Sequence, residues 1–179
     1  MATKKAGKKS AKAKKTAKSA KAPAAAKFQV VTPYLTINGA AEAIEWYKKV
    51  FGAKEGQRMP SPDGKIMHAE IRIGNSTVFL SDLFEATGSK DPKEIEDTGV
   101  ALHIISPKVD QMWKNALSGG AKVEMELDDQ FWGDRFGQLR DPFGHFWSVS
   151  WKSKLSKQEL KKKEEAAMKM FAGGKHPGQ

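Results

Sequence analysis

The stretch Phe131–Trp147, FWGDRFGQLRDPFGHFW, decides how the rest of the chain is read. It divides into an aromatic-rich loop, a short strand, the turn Asp141-Pro142-Phe143-Gly144, and the start of a second strand. Pro142 suits the second position of a type I turn and Gly144 its last, so Arg135–Arg140 and Phe146–Trp151 are predicted to form a hairpin. That hairpin closes the second of two similar halves.

In the first half, Val30–Ile37 is a β-rich run and Asn38 is the expected helix cap. Ala43, Ile44, Tyr47, Val50 and Phe51 recur at helical spacing, and Gly52 is the expected stop. In the second half, Val100–Ile105 is the strand, Ser106 the expected cap and Pro107 the first helical residue. There Val109, Met112, Trp113 and Ala116 supply the stripe, and Gly119-Gly120 the stop. Trp46-Tyr47-Lys48 matches Met112-Trp113-Lys114, and Gly52-Ala53-Lys54 matches Gly120-Ala121-Lys122. Further strands follow: Lys65–Ile73 and Thr77–Asp82 in the first half, after a Ser61-Pro62-Asp63-Gly64 turn, and Val123–Leu127, Arg135–Arg140 and Phe146–Trp151 in the second. The pattern is a pair of β-α-β-β-β modules, an α+β fold. Ser156-Lys157-Gln158-Glu159 is a capping box that opens a charged C-terminal helix. Its Leu155, Leu160, Ala167, Met168 and Phe171 are expected to pack on the body or on a second subunit. The expected divisions are a basic tail at 1–27, a domain at 28–153 (modules 28–98 and 99–153), the helix at 154–172 and a disordered end at 173–179.

The charge is unevenly placed. Residues 1–27 contain ten lysines and no acid, so of the 31 Lys and Arg in the chain 21 remain for the body, equal to the 21 Asp and Glu. Lys4, Lys5, Lys8, Lys9, Lys12, Lys14, Lys15, Lys18 and Lys21 sit among Ala, Ser and Thr, a composition that cannot bury enough apolar surface to offset chain entropy. The arm resembles the tails of linker histones and bacterial histone-like proteins, which implies non-specific, salt-sensitive binding of nucleic acid by counterion release. The alternative reading is a solubilising extension. There is no cysteine, which excludes disulfides and thiolate metal sites. No apolar run is long enough to span a bilayer, and neither a signal peptide nor a mitochondrial presequence is evident. The expected compartment is cytoplasmic, with nucleoid association if the tail binds DNA. Nucleophile elbows, phosphate loops and dinucleotide fingerprints are absent.

Taken in order and spacing, Pro33-Tyr34-Leu35, Ala43 through Ala53, Met59-Pro60, Pro62-Asp63-Gly64-Lys65 and Met67-His68-Ala69-Glu70 resemble the glyoxalase/bleomycin-resistance branch of the vicinal oxygen chelate superfamily. Asp129 through Arg135 and Asp141-Pro142-Phe143-Gly144-His145 carry the strongest part of the resemblance. It implies curved sheets that form a cup, a homodimer, and a role as metal-dependent lyase, isomerase or dioxygenase, or as a metal-free drug-sequestering protein. The site must choose among these.

Period-two alternation then separates helix-facing from cup-facing residues. Val31, Leu35 and Ile37 are expected to face the helix, against Thr32, Tyr34 and Thr36. Met67, Ala69, Ile71 and Ile73 form the apolar row opposite Ile66, His68, Glu70 and Arg72. Val78 and Leu80 oppose Thr77, Phe79 and Ser81; Trp147, Val149 and Trp151 oppose Ser148 and Ser150; Val100, Leu102 and Ile104 oppose Ala101 and His103. The resemblance implies metal ligands on the first, fourth, fifth and eighth strands. Those places fall at Thr32, Phe79 or Leu80, Val100 or Ala101, and Ser148, none of which offers an imidazole or carboxylate. No metal and no cofactor is therefore expected.

His68 and Glu70 project to the same side and are the candidate acid/base pair, or else a partly buried histidine beside a Glu70–Arg72 ion pair. Tyr34, Phe79, His103, Trp132, Arg135 and Ser148 are the candidate ligand contacts. For Tyr34 and His103, simple packing is the alternative. The loop ahead of Arg135 reads as a lid over the cup or as a hairpin held by Arg135 pairing with Asp129 or Asp141. His145 reads as a surface or hairpin residue. Three functions stay open: a metal-independent small-molecule binder, an enzyme of the lyase or isomerase kind using His68 or Glu70 or a relocated metal, and a polyanion-tethered interaction protein.

Overall fold

The computed structural model describes Met1 and residues 31–95 and 98–174; the expectations for Lys4 through Lys21, for the domain start at 28, for the strand start at Val30 and for 175–179 lie outside these residues. The chain runs β1 (Tyr34–Ile37), α1 (Ala40–Phe51), β2 (Lys54–Pro60), β3 (Ile66–Ile73) and β4 (Ser76–Asp82), then single 3-10 turns at Glu85–Thr87 and Pro92–Glu94. It repeats as β5 (Leu102–Ile105), α2 (Val109–Ser118), β6 (Lys122–Asp129), β7 (Asp134–Arg140) and β8 (Phe146–Lys152), and ends in α3 (Lys157–Ala172). The sheets have the orders β1-β4-β3-β2 and β5-β8-β7-β6. In each, the first and last strands of the module pair in parallel, and the remaining pairs are antiparallel. This is the duplicated β-α-β-β-β architecture, with the C-terminal helix appended.

β2 carried no expectation. Its sequence, KEGQRMP, is polar and nearly all exposed, because it is a sheet edge with no buried face to mark it. The stripe of α1 is buried as expected, and Gly52 closes the helix at φ 66. Its N-terminus is capped differently. Asp82, at the end of β4, accepts hydrogen bonds from the Gly39 and Ala40 amides at 3.1 and 2.9 Å, while Asn38 donates to Asp91. A tertiary carboxylate thus satisfies the helix's orphan donors. α2 likewise begins at Val109, not Pro107; the Ser106 hydroxyl accepts from the Lys108 amide at 3.2 Å and its carbonyl from the Val109 amide at 3.1 Å.

Both predicted turns are present. Gly64 N–H donates to Ser61 O and Gly144 N–H to Asp141 O, with both glycines at positive φ. The face assignments hold for Leu35, Ile37, Ala69, Ile71, Ile73, Val78, Leu80, Trp147 and Val149, which are buried. They fail where the chain leaves regular pairing. Met59 is opposite His68 but Pro60 is opposite Ile66, so the irregularity at Met67 reverses parity, turning Ile66 inward and Met67 outward. Val31 and Val100 precede their strands and are exposed; Trp151 keeps its register with Arg135 and is exposed only because it lies near the strand's end.

The modules meet through their helices and the β7–β8 turn. Trp46 Nε1 donates to Gly119 O at 2.8 Å, and Tyr47 OH to Asp141 Oδ2 at 2.7 Å. The Phe51 and Tyr47 rings lie 4.7 and 5.4 Å from that of Trp147. One apolar cluster therefore continues from α1 into the second sheet. α3 begins at the expected capping box. It is tied to the body by Lys163, which reaches Asp128 at 2.9 Å, by buried Ala167, and by Phe171 against Phe131. Met168 of the same helix is exposed. Among the described residues no helix is long and apolar enough to cross a membrane.

Candidate functional site

With Leu35, Ile37, Val78, Leu80, Ala69 and Ile71 turned toward α1, alternation leaves the first sheet's other face to polar and aromatic groups. Tyr34, Phe79 and Glu70 lie across it in one register row, and His68 is two residues along β3. The His68 ring sits 5.0 Å from Phe79, edge to face, and 5.9 Å from Tyr34. Its Nδ1 is 3.5 Å from Tyr34 OH and its Nε2 3.7 Å from Glu70 Oε1. Both separations are long for hydrogen bonds, so this is a loosely held group with room to reorient on a ligand. Glu70 makes no ion pair with Arg72.

The second sheet's helix-free face is held more tightly. His103, Ser148 and Gln138 form a register row, with Ser150 and Phe136 beside it. His103 Nδ1 is 2.7 Å from Ser148 Oγ and its Nε2 is 2.9 Å from Ser150 Oγ. Both serines are buried, while His103 itself is exposed. The imidazole lies 5.9 Å from the Phe136 ring at only 24°. Trp132, exposed at the tip, meets Phe136 edge-on at 5.7 Å and Phe131 at 4.9 Å. Phe131-Trp132 belong to a tight β6–β7 turn, with Gly133 N–H donating to Gln130 O and Gln130 N–H to Asp134 O, rather than to a long lid.

Arg135 stands on the other face. Its parity matches Gly137 and Leu139, which are buried toward α2, and its Nε binds Asp110 of that helix at 2.7 Å, with Asp129 at 3.5 Å. It forms a strand–helix tie, and its pairing with Asp129 is the expected alternative to a ligand contact. His145 takes the hairpin place of its two expected ones, bonded through its backbone to Asp141 across the turn. It is largely buried, its Nδ1 lacks a hydrogen-bond partner, and it lies 3.8 Å from Asp141 Oδ2. Burial holds its pKa below the usual histidine value, only partly opposed by the Asp141 and Asp91 charges.

Asp141 had no expected role beyond the turn and a possible pairing with Arg135. Its fully buried carboxylate accepts from Tyr47 OH, from Trp147 Nε1 at 2.8 Å, and from the Phe143 and His145 amides at 2.9 Å each. Burial first, and the Asp141 charge second, push the Tyr47 phenol well above its ordinary pKa, so it remains a donor. An Asp-Pro-x-Gly turn names the residue, but only tertiary packing supplies its two aromatic donors.

None of these hydrogen bonds, ion pairs or ring contacts joins the Tyr34–His68–Glu70–Phe79 group to the His103–Ser148–Ser150–Phe136 group. Two clefts, of about 490 and 360 Å³, lie along the module junction; His103 borders the first and Tyr34 the second. The places where superfamily metal ligands are implied hold Thr32, Phe79 or Leu80, Val100 or Ala101, and Ser148, and the Ser148 hydroxyl is engaged by His103. Among the described residues no three His, Asp or Glu groups converge on a point. This donor set does not fit a divalent transition metal.

The glyoxalase/bleomycin resistance protein/dioxygenase superfamily model matches residues 27–149. The chain belongs to that superfamily. Uncharacterized protein Rv0887c of Mycobacterium tuberculosis is 43% identical over 122 residues, spanning 66% of this chain and 72% of its own. The crystal structure of protein PA1353 from Pseudomonas aeruginosa superposes with a TM-score of 0.58 at 26% identity, over 68% of this chain and 96% of that one. FosX, a fosfomycin resistance protein from Listeria monocytogenes solved with Mn(II) and sulfate, shares the fold alone, at TM-score 0.52 and 12% identity over 70% of this chain and 93% of its own.

Proposed function

We propose that this superfamily member binds a small organic molecule on its helix-free sheet faces without a metal, and that it acts as a homodimer. The observation that carries this reading is the chemistry of those faces. Tyr34, Phe79, Phe136 and Trp132 supply flat apolar surface, and His68, Glu70, His103 and Ser148 supply polar contacts, while the implied ligand positions hold hydroxyl and hydrocarbon groups. Such a mixture suits an organic ligand better than a hard or borderline cation. Exposure of Tyr34, Ile105 and Trp132 on these faces supports a second copy or a ligand covering them. Native mass spectrometry of the protein purified from its source tests all three parts. A retained organic mass and a dimer mass are expected; a stoichiometric, tightly held zinc, nickel, iron or manganese would refute the metal-free reading.

The loose His68–Glu70 geometry favours a second reading, a cofactor-free lyase or isomerase in which one of the two removes a substrate proton. Loss of turnover in His68→Ala and Glu70→Gln would support it, and unchanged turnover in the double variant would dismiss it. The ten-lysine arm beside an electroneutral body supports a separate polyanion-tethering role.

A further inference from the structure

We infer that His103 is a stacking plate, locked flat by Ser148 and Ser150, and that the second sheet's face therefore selects uncharged, planar aromatic molecules. The inference rests on the binding role proposed above and specifies the ligand class.

A neutral imidazole has one N–H donor and one lone-pair acceptor. In His103 both are used: one serine hydroxyl accepts from the ring N–H, and the other donates to the bare nitrogen, at 2.7 and 2.9 Å. Both ring nitrogens are thereby engaged, and neither remains free to hold a ligand oxygen or a metal. Its exposed faces are what it offers. Because both hydroxyls are buried beneath it, tilting the ring would leave buried polar atoms unpaired, which fixes the plane in advance. Phe136 lies nearly parallel, and Trp132 is braced edge-on beyond it. The other four side chains, Ser148, Ser150, Phe136 and Trp132, carry no ionisable group, so a carboxylate or phosphate ligand would find no cationic partner among them.

The test uses the full chain and isothermal titration calorimetry with three probes: 2-naphthol, the saturated decahydro-2-naphthol, and 2-naphthoate. The wild type is expected to bind 2-naphthol at least about tenfold more tightly than either of the others, the scale of one lost aromatic stack. His103→Ala should lose about tenfold for 2-naphthol and abolish its advantage over the saturated alcohol, whereas His103→Phe, which keeps a ring, should stay within about threefold of wild type. Equal binding of the saturated alcohol, or tighter binding of 2-naphthoate, overturns the plate while leaving a binding face intact. A His103→Phe loss as large as that of His103→Ala overturns it too. Failure of every probe, with no organic mass retained in native mass spectrometry, overturns both the plate and the binding role.

Discussion

Asp141 is one of the side chains that tie the two modules together, and its removal has a calculable consequence. Four donors converge on a carboxylate with no solvent exposure: the Tyr47 phenol, the Trp147 indole and two backbone amides of its own turn. Asp141→Ala leaves all four without a partner. At about 1–3 kcal/mol for each buried polar group left unmade, with some relief from water entering the gap, the loss is about 4–8 kcal/mol. That is comparable to the whole stability of an ordinary domain, about 5–15 kcal/mol. Asp141→Asn keeps one oxygen and turns an NH2 toward either the aromatic pair or the amide pair. Trp147 cannot accept, so about 2–4 kcal/mol is expected. Tyr47→Phe removes one hydrogen bond to a charged acceptor and strands no donor, at about 1.5–3 kcal/mol. Urea unfolding followed by tryptophan fluorescence reads the series directly, since Trp147 lies in the joint. The expected order of loss is Asp141→Ala, then Asp141→Asn, then Tyr47→Phe. The Ala variant should also separate the single transition into two as the modules uncouple. An Asn variant within about 0.5 kcal/mol of wild type, well below the loss of one buried partner, would refute the reasoning, as would a Tyr47→Phe loss exceeding that of Asp141→Ala.

Four further outcomes follow from named contacts. Gly137→Ala would place a Cβ 2.8 Å from the Trp113 ring and 2.9 Å from the Leu127 Cα, and since backbone cannot move aside it should cost about 1–3 kcal/mol in thermal melts. His145 is held neutral by burial, so its folded pKa is below the unfolded value of about 6.5. The unfolded chain then binds the extra proton in the window between the two values. Stability is fully present above about pH 6.5 and falls by up to about 1.4 kcal/mol per pH unit as pH drops toward the folded value. His145→Gln should flatten that limb in pH-dependent urea midpoints. Arg135→Ala should cost only about 0–1 kcal/mol, because Asp110 is a largely exposed partner, and should leave probe binding unchanged in calorimetry. Deleting residues 1–27 should abolish the salt-dependent affinity for duplex DNA in fluorescence anisotropy without altering binding of 2-naphthol.

Local chemistry made much of this molecule legible in advance. The Pro62-Asp63-Gly64 and Pro142-Phe143-Gly144 turns, the helical stripe of α1, the Ser156 capping box and the duplicated order of elements all arise from interactions within a few residues, and each stands where local rules put it. Face assignments survived wherever strands were regular, since alternation is a property of the backbone. They failed at Met67, where one irregular residue reverses parity. Arg135 does pair with Asp129, six residues earlier, as one of its two expected roles has it, but its shorter bond is to Asp110, 25 residues earlier, which no local pattern announces.

The sequence by itself therefore determined the modules, their turns and the scarcity of metal-binding side chains where the superfamily places them, because short-range sterics, hydrogen bonding and side-chain chemistry decide those features. Tertiary structure alone decided that Asp82 caps α1, that Asp141 joins the modules, and that both nitrogens of His103 are taken by serines on a neighbouring strand. Each of these joins groups some forty to ninety positions apart, and a polar group's role is set by whichever partner folding brings within about 3 Å, the hydrogen-bonding range.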